Sequence, residues 1–129
     1  MKRFAAAILA LALCFALTSC GGSPFEQAVN KMKKEYPYAD NARASDDSYL
    51  KIDTKPEGPG YALIADQVEA DSLNGIKLVN KELGFSDAVY AKMLQTTALM
   101  GRQTEENSKY RVSWTFHPDK GLEVMYEKK

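Results

Sequence analysis

The sequence is short of the residues that build metal and redox sites. It has two cysteines, Cys14 and Cys20, and one histidine, His117, in 129 residues. Nothing after residue 20 can therefore carry a disulfide framework, a thiolate zinc site or a histidine cluster. An excess of one charge is also missing, with 17 basic against 17 acidic residues. Nucleic-acid binding wants a concentrated basic footprint, so that function class is excluded. The longest apolar run, residues 4–17, falls short of the roughly 20 residues that a helix needs to cross hydrocarbon. There is no internal repeat, no low-complexity tract and no sign that a cofactor is held.

What is present comes first in the chain. Lys2 and Arg3 precede the apolar run, and small residues follow it; these are the parts of a secretory export signal, in order. Leu17-Thr18-Ser19-Cys20 resembles the bacterial lipobox, in which a branched apolar residue and two small residues precede a cysteine. The resemblance covers the targeting segment alone. It implies cleavage between Ser19 and Cys20, a diacylglycerol thioether on the Cys20 sulfur and acylation of the freed amine. Each buried methylene contributes about 0.8 kcal/mol, and two or three chains together hold a protein firmly to a bilayer. The implied address is outside the cytoplasm, on the cell membrane or, where a second membrane exists, on the outer one, since Gly21 is not an acidic retention signal.

On this reading residues 1–19 are the signal, 20–23 the anchor and tether, and 24–129 a single α+β domain. Cleavage leaves 110 residues, with 15 basic and 17 acidic, enough for one real core. Cys14 is discarded and the Cys20 sulfur is committed to lipid, so stability comes from packing. Four residues between lipid and helix reach at most about 14 Å, which keeps the domain close to its membrane. Lys31, Lys33 and Lys34 are read first as a solvated helix face, with contact to anionic headgroups as the alternative.

Ser23, Pro24 and Glu26 have the features of a helix start. Phe25, Ala28, Val29, Met32 and Tyr36 follow at helical spacing, and Pro37 stops the helix. Residues 40–48 are polar and read as a loop, and Tyr49-Leu50-Lys51-Ile52-Asp53 as a short strand. Residues 62–83 carry a helical stripe of Leu73, Ile76, Val79 and Leu83, although Gly75 weakens it by about 1 kcal/mol. Two shorter helices divided at Asp71-Ser72 are the alternative. A third helix is expected from Ser86 to about residue 99, with Val89, Tyr90, Met93, Leu94 and Thr97 inward, and then a polar loop over 102–108.

The clearest local signal is near the end. Tyr110, Val112, Trp114 and Phe116 alternate with Arg111, Ser113, Thr115 and His117, which is the period of a half-buried strand. A turn at Pro118-Asp119-Lys120-Gly121 leads to a second alternation in which Leu122, Val124 and Tyr126 face one way. The expected fold is α+β: about three helices on one face of a small, mainly antiparallel sheet that ends in a C-terminal β-hairpin. The first strand is free to pair with either arm of that hairpin.

Candidate chemistry is sparse. His117 is the one histidine and so the conventional candidate for a general base, but it stands beside a turn with no nucleophile to activate, so no catalytic residue is assigned. Asp46-Asp47 and Glu105-Glu106 are sequence neighbours that diverge in direction, unlike paired glycosidase carboxylates, and they lack the ligand spacing of a calcium loop. No metal ligand is assigned. The aromatic stripe at strand spacing reads as core. The opposite face, with Arg111, Thr115, His117, Glu123 and Met125, is the expected partner surface, together with the sheet edge. The leading expectation is a membrane-anchored module that binds an envelope protein or glycan; the alternative is an envelope hydrolase or small-ligand-binding lipoprotein with a site assembled from distant residues.

Overall fold

The computed structural model describes residues 22–129; the export segment, the Ser19–Cys20 cleavage position and Cys20 itself lie outside the described residues. The first helix forms where the sequence places it. α1 (Pro24–Glu35) has Pro24 in its first turn and Ser23 as N-cap, whose hydroxyl accepts the Glu26 N–H at 3.1 Å. Phe25, Ala28, Val29 and Met32 make its buried stripe.

Two strands follow, β1 (Asp40–Arg43) and β2 (Tyr49–Asp53). β1 corrects the expected loop at 40–48. Its residues carry no apolar alternation, and its edge position is instead secured by α2 (Ala65–Glu82). Ser72, in the middle of α2, accepts the Asp40 N–H, and Asp71 accepts the Tyr38 N–H. The dipeptide that offered a break in the helix is thus the attachment of a strand, and α2 runs through it unbroken.

Gly75 is likewise explained by what it faces. A Cβ there would lie 2.7 Å from Met32 Sδ and 3.5 Å from Ala39 Cβ. Loss of helix propensity is exchanged for a close crossing of α1 and α2.

α3 (Asp87–Gln95) is shorter than expected, and Ser86 precedes it without a side-chain cap. It ends at Thr96, a buried threonine whose hydroxyl donates to Lys92 O at 2.7 Å and accepts the Trp114 indole N–H at 2.8 Å. A 3-10 turn (Ala98–Met100) leads into β3 (Gln103–Glu106), where a polar loop was expected. β4 (Tyr110–His117) and β5 (Gly121–Lys128) form the predicted terminal hairpin. Gly121, at its turn, has φ +68°, and a Cβ there would meet Thr54 Oγ1 at 2.5 Å. Glycine is required on both counts.

The sheet order is β1-β2-β5-β4-β3, antiparallel throughout. β2 therefore pairs with β5, which resolves the pairing the sequence left open. Leu50, Ile52, Val112, Trp114, Val124 and Tyr126 point from the sheet into one core with Phe25, Met32, Ile76, Val79 and Met93 from the helices. Tyr126, wholly buried, donates its hydroxyl to Asn80 Oδ1 at 2.6 Å, and every buried side-chain nitrogen or oxygen among the described residues has a partner. That is what a core without cross-links requires.

Candidate functional site: the outer face of the sheet

Because side chains alternate along a strand and antiparallel partners share a face, the register defines what lies opposite the core. Three rows cross the sheet there. Asp40, Asp53, Glu123 and Thr115 form the first; Ala42, Lys51, Met125, Ser113 and Thr104 the second; Tyr49, Glu127, Arg111 and Glu106 the third. All five residues of the expected partner face lie on this surface, with His117 at its margin beside the hairpin turn. The strands bring Arg111, Thr115, Glu123 and Met125 onto one continuous patch.

The centre of the patch is less polar than its surround. Met125 is half-buried and Ser113 buried, the latter accepting a hydrogen bond from the Arg102 guanidinium at 3.2 Å. Around them, Lys51 Nζ stands 3.5 Å from both Asp53 and Glu123. Burial, with Glu123 and Asp40 nearby, pushes the Asp53 carboxyl up from its ordinary range, against the pull of Lys51. Burial also works to lower the Lys51 ammonium, but Asp53 and Glu123 prevail and raise it. Glu106, bonded to Arg111 at 2.6 Å and reached by Lys129, is held below its ordinary range. Asp40, Asp53, Glu123, Glu127 and Glu106 stand against Lys51, Arg111, Arg102 and Lys129, so charge is near balance over the whole face and its acidic end is the row of Asp40, Asp53 and Glu123.

The sequence reading missed the β2 half of this face. Lys51 and Asp53 alternate with Leu50 and Ile52, so their direction was legible; only the pairing with β5 shows that they flank Glu123. Arg102 and Glu106 were hidden in the stretch read as a loop.

The remaining candidates do not assemble. His117 is exposed, with Nδ1 accepting the Asp119 N–H at 3.1 Å. Asp46 accepts the Ser48 N–H, Asp47 accepts from Ser23 and pairs with Arg43, and Glu105 and Glu106 turn to opposite faces, bonded to Lys92 and Arg111. Among the described residues no group of three or more His, Cys, Asp or Glu side chains is placed to hold a metal ion.

Three residues expected inward lie at the surface, one of them Thr97, which falls beyond the end of α3. Leu94 is 56% exposed and Phe116 36% exposed. Both line a groove of about 160 Å³ with Leu73, Met93 and Leu122. A larger cleft, about 380 Å³, lies between the 55–62 loop, the start of α2 and Asp119, and is lined by Lys55, Tyr61, Asp66 and Glu69 among others.

Comparison of the chain with protein-family models, curated proteins and solved structures finds no match in any of the three. Among the described residues no helix is long and apolar enough to cross a membrane.

Proposed function

We propose that the protein is a lipid-anchored binding module of the bacterial envelope, held by acyl chains on Cys20, and that the outer face of its sheet is the docking surface. The observation that carries this reading is the asymmetry of the sheet. Three helices cover one face, while the other presents Met125 and Ser113 within a ring of charged side chains. The one apolar side chain at the centre of that face is the half-buried Met125, and an apolar centre within a polar rim is how protein-binding patches are commonly built. The acidic row of Asp40, Asp53 and Glu123 at one end of the face favours an envelope protein or glycan that offers cationic groups.

The test is photo-crosslinking in cells from position 115, with Lys33 on the helix layer as a control position and Cys20→Ala as the unanchored control. A partner captured from 115, absent from 33 and lost in Glu123→Lys, is the expected result. Equal capture from both positions, or none from 115, defeats the reading.

A second reading, small-ligand binding or hydrolysis, draws on the cleft beside Lys55, Asp66, Glu69 and Asp119. His117, the general base it would want, accepts the Asp119 amide N–H at the hairpin turn. The docking face remains the better supported of the two.

A further inference from the structure

The chain enters the fold at one pole, and the attachment is tight. Gln27 Nε2 donates to the Gly22 carbonyl at 2.7 Å. Ser23 both caps α1 and donates its hydroxyl to Asp47, in the reversal between β1 and β2. On the other side of the entry point, Pro24 lies beside Asn107, Ser108 and Lys109, the reversal between β3 and β4. The two reversals flank the entry, and the C-terminus closes the pole: the Lys129 N–H donates to Lys109 O at 3.0 Å, and Lys128 Nζ stands 5.7 Å from the centre of the Phe25 ring.

Length then limits where a bilayer can be. Only Gly21 separates Cys20 from Gly22, and two Cα steps span at most about 7 Å. The polar layer on each side of the hydrocarbon is itself about 5 to 8 Å deep. With Cys20 acylated, Gly22 cannot leave that layer by more than a residue's length.

We infer that the pole formed by the 44–48 and 107–109 reversals and the C-terminus is the membrane-facing surface of the protein, resting on phospholipid headgroups. This inference rests on the lipid-anchor reading and adds an orientation to it. The eight residues of β4 lead away from this pole, a rise of about 26 Å. The hairpin turn at 118–120 is therefore the membrane-distal end, and the outer face of the sheet is presented between the two ends. Lys33 and Lys34, further along α1, lie beyond the contact.

The experiment uses the full lipidated chain in phosphatidylethanolamine/phosphatidylglycerol vesicles containing a lipid with a nitroxide on its headgroup. A fluorophore is attached through Ser108→Cys, Asp119→Cys or Lys34→Cys, one at a time. Flotation of the unlabelled protein, with Cys20→Ala as control, is measured in parallel. The expected result is flotation that depends on Cys20, with most of the emission lost at position 108 and little at 119 or 34. Insertion of a long Gly/Ser linker between Gly22 and Ser23 removes the difference. Cys20-dependent flotation with equal quenching at the three positions, or strongest quenching at 34 or 119, overturns the orientation and leaves the anchor standing. Failure to float overturns both.

Discussion

Ser72 Oγ accepts the backbone N–H of Asp40 at 3.0 Å, so a helix-interior hydroxyl holds the first edge strand of the sheet. Ser72 is wholly buried, and its partner belongs to a strand of four residues with little apolar content of its own. Short edge strands depend on such ties.

Ser72→Ala should therefore destabilise the protein despite the better helix propensity of alanine. The unpaired Asp40 amide costs about 1 to 2 kcal/mol, and the propensity gain returns roughly 0.5. A net loss of about 1 kcal/mol is expected, with amide exchange accelerated across 40–43 before the rest of the sheet. Unchanged exchange in β1 would show that the tie contributes nothing.

The crossing of α1 and α2 gives a prediction that changes sign with background. With Met32 in place, Gly75→Ala forces its new methyl against Sδ, and overpacking of this kind costs about 1 to 3 kcal/mol, more than the roughly 1 kcal/mol that helix propensity supplies. In a Met32→Ala background the obstacle is gone, and the same Gly75→Ala change should stabilise. Denaturant unfolding of the four proteins checks this; the same effect in both backgrounds would refute it.

Tyr126 predicts a limit at alkaline pH. Burial above all raises its hydroxyl well above its ordinary 10.0. The unfolded chain releases this proton near pH 10 while the folded chain keeps it, so stability is intact below that pH and falls as pH rises beyond it, by up to about 1.4 kcal/mol per pH unit. Tyr126→Phe should flatten part of that fall. Tyr61, Tyr90 and Tyr110 are also raised and retain the remainder. At neutral pH the variant should lose about 1 to 2 kcal/mol, since Asn80 Oδ1 loses its donor. Thermal melts between pH 7 and 11 decide the matter, and an identical alkaline slope in both proteins would count against the assignment.

Glu123→Lys separates docking from folding. Its side chain is partly exposed and its ion pair with Lys51 is a surface one, so a stability change within about 1 kcal/mol is expected. Partner capture from position 115 should nevertheless be lost, because the substitution reverses charge in the row shared with Asp53 and Asp40. A partner retained at full yield would move the docking surface elsewhere.

Legibility in the sequence followed how much each element depends on its own residues. α1, β2, β4 and β5 were readable because cap chemistry or alternation is written into them. β1 and β3 were not, since Asp40-Asn41-Ala42-Arg43 and Gln103-Thr104-Glu105-Glu106 are strands only by virtue of their neighbours. Leu94 and Phe116 misled for the converse reason: both are apolar, but the buried stripe of α3 is the narrow one of Val89, Met93 and Thr96, which leaves Leu94 outside it, and Phe116 lies at the turn end of the hairpin. The candidate face was half visible, because the hairpin fixes its own register while the position of Lys51 and Asp53 depends on a partner about 70 residues away in the chain.

The last of the five strands in chain order is the middle strand of the sheet. β1 and β2 make one hairpin, β3 and β4 another, and β5 alone joins them. A chain that folds from its N-terminal side thus holds two incomplete halves of the sheet until the eight residues of β5 join them. Closure is a single late event involving contacts far apart in sequence, which slows folding. The sheet therefore acquires its order in one step, when β5 joins the two hairpins, and not strand by strand.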